Sequence, residues 1–77
     1  MNEFNAATLG RKLRTMRLNA GMSQADLEAI SGIPKARLSR YENGRVEPSI
    51  RSFLKLCSAL GVRPGELLDP PANGTEG

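Results

Sequence analysis

The apolar positions of this chain recur at helical spacing along most of its length. In the first stretch Leu9, Leu13, Met16 and Ala20 fall at i, i+4, i+7 and i+11, which forms one stripe of an α-helix. No segment alternates apolar and polar residues as a β-strand does, so the predicted fold class is all-α. The periodicity and the positions of Ser, Gly and Pro together predict five helices: Ala6–Ala20, a second that follows Ser23 and stops at Gly32, Pro34–Asn43, Ile50–Leu60, and a short fifth that opens at Pro64.

The joint between the second and third helices is sharply marked. Ser23, followed three residues later by Asp26, resembles a capping box in which Asp replaces the usual Glu. Gly32 can take a positive φ angle, and Pro34 suits the first position of a new helix. The two helices are therefore about three residues apart, a spacing typical of a helix-turn-helix.

The predicted third helix has an apolar side and a basic side. Pro34, Leu38 and Tyr41 fall on the first side. Small and basic residues fall on the second side, with Arg37 at its edge: Lys35, Ala36, Ser39 and Arg40. The basic side carries nothing bulky that would hold the helix away from a surface. A plain solvated face would show the same pattern, so the face alone does not establish a function.

The charge of the chain is concentrated in its first part. All 11 Lys and Arg residues lie at or before Arg63, together with five of the eight Asp and Glu residues, which leaves the first 63 residues at +6. A surplus of this kind favours a polyanionic partner.

The length of 77 residues suits a single domain. We expect a flexible N-terminus over residues 1–5, a folded domain over 6–69 and a disordered tail over 70–77, because the tail has nothing to bury. No apolar run approaches the ~18 residues of a membrane span, and the polar N-terminus does not resemble a signal peptide. We therefore expect a cytoplasmic protein with no membrane partner.

The sequence offers little for catalysis or metal binding. It has no His and only one Cys, Cys57, so neither an intrachain disulfide nor a Cys/His metal site can form. No Gly-rich phosphate loop or paired-carboxylate motif is present. We expect no enzymatic activity, no cofactor and no metal. Cys57 shares a predicted helical face with Ile50, Phe53 and Leu60, which indicates a buried apolar role for it, with a redox sensor as the alternative.

From Leu9 to Leu68 the chain resembles the phage-repressor type of helix-turn-helix domain, the Cro/C1 or Xre family. The matching segments are "LRTMRLNAGMSQADL", "SGIPKARLSRYENGR", "PS" and "LCSALGV". The spacing from Gln24 through Gly32 to the run Glu42-Asn43-Gly44 is the specific part of the match. The resemblance implies a compact, phage-repressor-like bundle of five helices that binds DNA.

The resemblance also implies roles for individual residues. The third helix would be the recognition helix, and its residues near base edges would be Lys35, Ala36, Arg37, Ser39 and Arg40. The residues that match positions near the DNA backbone are Arg17, Ser23, Gln24, Asn43 and Arg45. Arg17 and Glu42 match a pair that ties the first helix to the end of the third. Lys and Arg are common donors to guanine, and a small residue such as Ala36 lets a helix approach a groove closely.

Two residues depart from the family pattern. Glu28 stands where Ala is usual, at the contact between the second and third helices, so its carboxylate must turn outward or find a cation such as Arg40 or Arg14. Pro34 stands where the recognition helix usually has a Ser or Thr cap. It forfeits the capping oxygen, and we expect the helix start to shift by a residue.

The leading hypothesis is a transcriptional regulator that binds a specific double-stranded DNA sequence. The rival hypothesis is an antitoxin-like protein-interaction module whose DNA binding serves autoregulation. Small members of the family include phage repressors, restriction–modification controller proteins and antitoxins, and the sequence does not choose among them. For the same reason, the sequence does not decide whether the chain has a protein partner such as a toxin or polymerase.

We also expect the regulator to act as a homodimer on a palindromic operator. One recognition helix reads too few base pairs to be specific in a genome. The spare apolar residues lie late in the chain, on a helix too short to bury them all, and predict a two-fold interface: Val62, Leu67 and Leu68. For Leu67 alone, closing the core of the monomer is the alternative role.

Overall fold

The computed structural model describes residues 5–68, and every regular element in that part of the chain is an α-helix. The helices are α1 (Ala6–Asn19), α2 (Gln24–Ser31), α3 (Lys35–Glu42), α4 (Ile50–Leu60) and α5 (Pro64–Leu68). Their order and number match the prediction. Residues 1–4 and 69–77 lie outside the described part, and so do the predicted tail and all of the predicted flexible N-terminus except Asn5.

The helices surround one apolar core. α3 packs against α1 and α2, α2 also packs against α4, and α5 closes the bundle against α1 and α4. The buried apolar side chains come from all five helices and the α2–α3 turn: Leu9, Leu13, Leu27, Ile33, Leu38, Tyr41, Phe53, Leu56, Cys57, Leu60 and Leu67. Met16 of α1 is only partly buried, and Ala20, the C-cap residue just after α1, is exposed, so the apolar stripe of α1 ends earlier than its periodicity suggests.

The contact between α1 and α3 depends on a glycine. A Cβ atom on Gly10 would lie 2.4 Å from the carbonyl oxygen of Tyr41 and 2.7 Å from that of Glu42. Both are backbone atoms and cannot rotate away. The absence of a side chain at Gly10 therefore lets the end of α3 lie directly on α1.

The helix ends follow the capping signals in the sequence. Ser23 and Asp26 form the complete capping box of α2, as predicted. Gly21 has φ of 72° just after α1, and Gly44 has φ of 70° just after α3. In each case the two residues after the C-cap donate backbone hydrogen bonds into the last turn, which satisfies carbonyls that the helix leaves open.

Three expectations about individual residues need correction. Pro34 is the N-cap of α3 and not its first helical residue, because its ψ of 142° is extended. Its carbonyl accepts the first helical hydrogen bond, from the backbone N–H of Leu38 at 3.0 Å. Ile50 is 74% exposed and does not share the buried face of Cys57. Leu67 is fully buried inside the monomer, so it cannot serve a dimer interface.

Candidate nucleic-acid interface

The solvent-facing side of α3 is basic. Its exposed residues are Lys35, Ala36, Arg37 and Arg40, and Ser39 beside them is partly buried. The opposite side of α3 anchors the helix, since Leu38 and Tyr41 are both buried in the core. The structure therefore brings together on one surface all five residues that the sequence assigned to base reading.

The turn after α3 places two more polar residues beside this surface. Asn43 is exposed, and its side-chain amide Nδ2 lies 3.4 Å from Ser39 Oγ, a long hydrogen bond. Arg45 is exposed as well, and its backbone N–H donates to the carbonyl of Arg40 at 2.9 Å. The left-handed conformation of Gly44 makes this turn, which fixes the backbone that carries Asn43 and Arg45.

A buried hydrogen-bond network lies behind the end of α3. Arg17 Nε donates to Glu42 Oε2 at 2.7 Å, and Arg17 Nη2 donates to Glu42 Oε1 at 2.9 Å. Arg17 Nη1 donates to the carbonyl of Met22 at 2.9 Å. The two hydrogen bonds to Glu42 raise the pKa of the Arg17 guanidinium, against the opposing effect of burial.

This network changes the role of Arg17. The sequence assigned it both to the pair with Glu42 and to a contact with the DNA backbone. The pair is present and bidentate, but the guanidinium is buried and its donors are directed into the protein. A phosphate contact is therefore not available to Arg17 in this arrangement, and its fitting role is to hold α1 and the α1–α2 turn to the end of α3.

The same carboxylate also reaches the start of α2. Gln24 Nε2 donates to Glu42 Oε1 at 3.2 Å, so the first turn of α2 lies next to the last turn of α3. Gln24 is partly buried, and Ser23 beside it is exposed. Neither the periodicity nor the capping signals pointed to this link. The hydrogen bond between Gln24 and Glu42 depends on the fold, which places the first turn of α2 beside the last turn of α3.

The first turn of α2 is held by reciprocal hydrogen bonds. Ser23 Oγ accepts from the backbone N–H of Asp26 at 2.9 Å, and Asp26 Oδ2 accepts from the backbone N–H of Ser23 at 2.9 Å. Hydrogen bonds from the Ser23 backbone and hydroxyl lower the pKa of the Asp26 carboxyl group. The cap keeps Ser23 and Gln24 in a fixed place at the positive end of the helix dipole.

Two other residues whose side chains could take part in chemistry, Glu28 and Cys57, do not join this surface. Glu28 is exposed, so its carboxylate turns outward, one of the two arrangements expected for it. Cys57 is buried, and burial raises the pKa of its thiol with a smaller effect from the charge of Glu66. Within residues 5–68 no group of three or more Asp, Glu or Cys side chains is positioned to hold a metal ion. No helix in the same range is long and apolar enough to cross a membrane.

Comparison with known proteins assigns this arrangement to a family. A helix-turn-helix family model matches residues 13–67, which include all of α2, α3 and α4. The chain belongs to the Cro/C1-type helix-turn-helix family. The domain is thus a transcriptional regulator with a helix-turn-helix DNA-binding fold.

Individual relatives agree with the family assignment. An uncharacterized HTH-type transcriptional regulator of Sinorhizobium fredii, y4dJ, is 36% identical over 62 residues, covering 80% of this chain and 80% of that protein. The restriction–modification controller protein C.AhdI from Aeromonas hydrophila has 34% sequence identity and a TM-score of 0.78, over 80% of this chain and 94% of that one. The P22 c2 repressor, solved in complex with a synthetic operator, has 30% identity and a TM-score of 0.74, over 79% and 92% of the two chains.

Proposed function

We propose that this regulator binds a specific duplex DNA sequence by placing α3 in the major groove. The observation that carries the proposal is the two-sided environment of α3. Its apolar side is held in the core, while Lys35, Ala36, Arg37 and Arg40 are exposed on the other side. A major groove accepts one α-helix and presents guanine acceptors that Lys and Arg recognise. Ala36 lets the helix approach closely, and Ser39 reaches the groove beside it.

The DNA backbone contacts in this proposal come from both ends of the α2–α3 unit. Ser23 and Gln24 lie at the N-terminus of α2, where open backbone N–H groups and the helix dipole favour a phosphate. Asn43 and Arg45 lie just after α3 and would contact phosphates of the same DNA strand or of the opposite strand. The link from Gln24 to Glu42 holds these two groups at a fixed separation. Such contacts set the position of α3 and carry no sequence information themselves.

We also infer that the regulator binds a palindrome as a homodimer. Each base pair distinguishes a competing site by only about 1–3 kcal/mol, so one short helix gives limited specificity. Two copies with half-sites about 34 Å apart would double the sequence that is read. Leu68, which is 46% exposed, and the partly buried Val62 remain for the interface. Leu67 is buried in the monomer and does not contribute to this interface.

Selection of binding sites from a random DNA library, followed by titration of variants, tests the base-reading role. Arg40→Ala should lose about 1–3 kcal/mol on the selected site and relax the preference at one base pair. Arg45→Ala should weaken all duplexes alike and reduce the slope of log K against log salt by about one unit. Lys55→Ala, which removes one positive charge from the exposed side of α4, is the matched control. It should change neither the base preference nor the salt slope.

Identical sequence preferences in the wild type and Arg40→Ala would contradict the base-reading role. A binding constant for random duplex DNA that does not respond to salt would contradict DNA binding as the main activity. That second result would favour the protein-interaction module, whose partner need not be a polyanion.

A further inference from the structure

The outer face of α4 carries apolar side chains that the fold does not cover. Ile50 is 74% exposed and Leu54 is 50% exposed, and they lie one helical turn apart on the same side. Together with their neighbours they line a shallow open groove, here called the α4 face: Ser49, Ile50, Arg51, Leu54, Lys55 and Ser58. The adjoining side of α4 already fills the core with Phe53, Leu56 and Cys57, so a rotation that covered Leu54 would expose these residues.

The charges of the α4 face have a single sign. Arg51 and Lys55 are the only charged residues of α4, and the first turn of the helix contains no acid. Two cations at i and i+4 repel each other, and Arg51 lies close to the positive end of the helix dipole. The face therefore combines an apolar centre with an uncompensated positive border.

The occupant that matches this combination is an acidic amphipathic helix. An apolar stripe would cover Ile50 and Leu54, which removes their exposed area from water. Carboxylates beside that stripe would pair with Arg51 and Lys55 and relieve their repulsion. A helix in a groove supplies both features at the required spacing of three and four residues.

Two other occupants fit less well. A second copy of the chain would bring four cations together across a two-fold contact, with no acid from α4 to pair with them. Residues 69–77 contain acids but no Leu, Ile, Val, Met, Phe, Tyr or Trp to cover the apolar centre. We propose that the α4 face is a docking site for an acidic amphipathic helix of another protein, separate from the DNA-binding surface and from the dimer interface.

Titration of isotopically labelled protein with two synthetic peptides tests the proposal. The first is a helical peptide with a leucine stripe flanked by glutamates, and the second has lysines in place of the glutamates. The acidic peptide should shift the backbone amide resonances of residues 50–58, and the basic peptide should not. Leu54→Ser and Lys55→Glu should each weaken the acidic peptide roughly tenfold, the scale expected for one lost apolar or charge contact. Leu18→Ser, at a leucine of α1 that is 57% exposed, should leave binding unchanged.

Each variant is first shown by circular dichroism to be folded, so that a loss of peptide binding reports on the α4 face and not on unfolding. If the acidic peptide shifts no resonance of α4, or binds Lys55→Glu as tightly as the wild type, the proposal is wrong. A change from dimer to monomer in Leu54→Ser would make the α4 face a self-interface and would also overturn it. So would a loss of operator affinity in Leu54→Ser, which would place the α4 face against DNA. The peptide titration uses no DNA, so its result is independent of the proposed base-reading role.

Discussion

At the residue scale, the carboxylate of Glu42 joins three helices. It accepts two hydrogen bonds from Arg17 of α1 and one from Gln24 of α2, while its backbone ends α3. A buried ion pair contributes little more to stability than an apolar pair of similar size. Removing one partner, however, leaves an uncompensated buried charge. The network therefore matters most through what its loss would expose.

Glu42→Ala should destabilise the fold by about 3–5 kcal/mol, because Arg17 would stay buried without its acceptor. Chemical denaturation measures the change in the free energy of unfolding. Arg63→Ala is the control: it breaks the exposed Arg63–Glu66 ion pair, whose charged atoms are 3.8 Å apart, and keeps the hydrogen bond from the backbone N–H of residue 63 to Glu66. Exposed pairs of this kind contribute about 0–1 kcal/mol. Equal effects of the two variants would show that the Glu42 pair behaves as a surface pair.

Gly10→Ala tests the close contact of α1 with α3. The new methyl group would overlap two backbone carbonyl oxygens, so the helices must separate at a cost of about 1–3 kcal/mol or more. Gly65→Ala, in α5, meets nothing within 4 Å and should stabilise the protein by about 0.5–1 kcal/mol through helix propensity. Thermal denaturation that ranked Gly10→Ala with Gly65→Ala would contradict the assigned contact.

Glu42 and Gly10 show how far side-chain contacts could be predicted from the sequence. The pairing of Arg17 with Glu42 was expected from the family resemblance, and the structure contains it. Gly10 gave no signal, because a glycine inside a helical pattern looks the same whether its surroundings are crowded or open. The exposure of Ile50 was also hidden, since its position fits the period of α4 but lies in the first turn, beyond the edge of the core.

At the scale of elements, the helix boundaries followed from local chemistry. Ser23 with Asp26 fixed the start of α2, and glycines fixed the ends of α1, α3 and α4, because these motifs act within a few residues. Pro34 is the exception, since it caps α3 and is not the first residue of the helix. A proline suits either position, and only the extended ψ angle of Pro34 in the folded structure decides between them.

The capping box makes a pH prediction for α2. Hydrogen bonds from Ser23 lower the pKa of Asp26 in the folded state, so the ionised carboxylate stabilises the fold above its unfolded pKa of about 3.9. That contribution is lost as the pH falls through the lower, folded value. Asp26→Asn should therefore lower the melting temperature at neutral pH, and the difference from the wild type should shrink in acid. A difference that stayed constant from neutral pH to pH about 2 would argue against the ionised cap.

At the scale of the whole molecule, the five helices produce three separate surfaces. The basic side of α3 is proposed for DNA, the α4 face for an acidic helix, and the end of α5 for a second copy. The order of helices and the basic face could be predicted from periodicity and charge. Which late apolar residues remain exposed could not, because burial of Leu67 and exposure of Leu68 depend on how α5 closes over α1 and α4.

Leu68→Glu decides whether the end of α5 forms the dimer. Placing a charge in a two-fold apolar contact puts it there twice, unpaired, and its desolvation would prevent association. The variant should sediment as a folded monomer and lose affinity for a full palindrome far more than for random duplex DNA, since each monomer keeps its own α3 and backbone contacts. Leu18→Glu, at a leucine of similar exposure on α1, should remain a dimer. If the wild type sediments as a monomer at micromolar concentration and binds a half-site as tightly as a palindrome, the regulator reads DNA as a single copy.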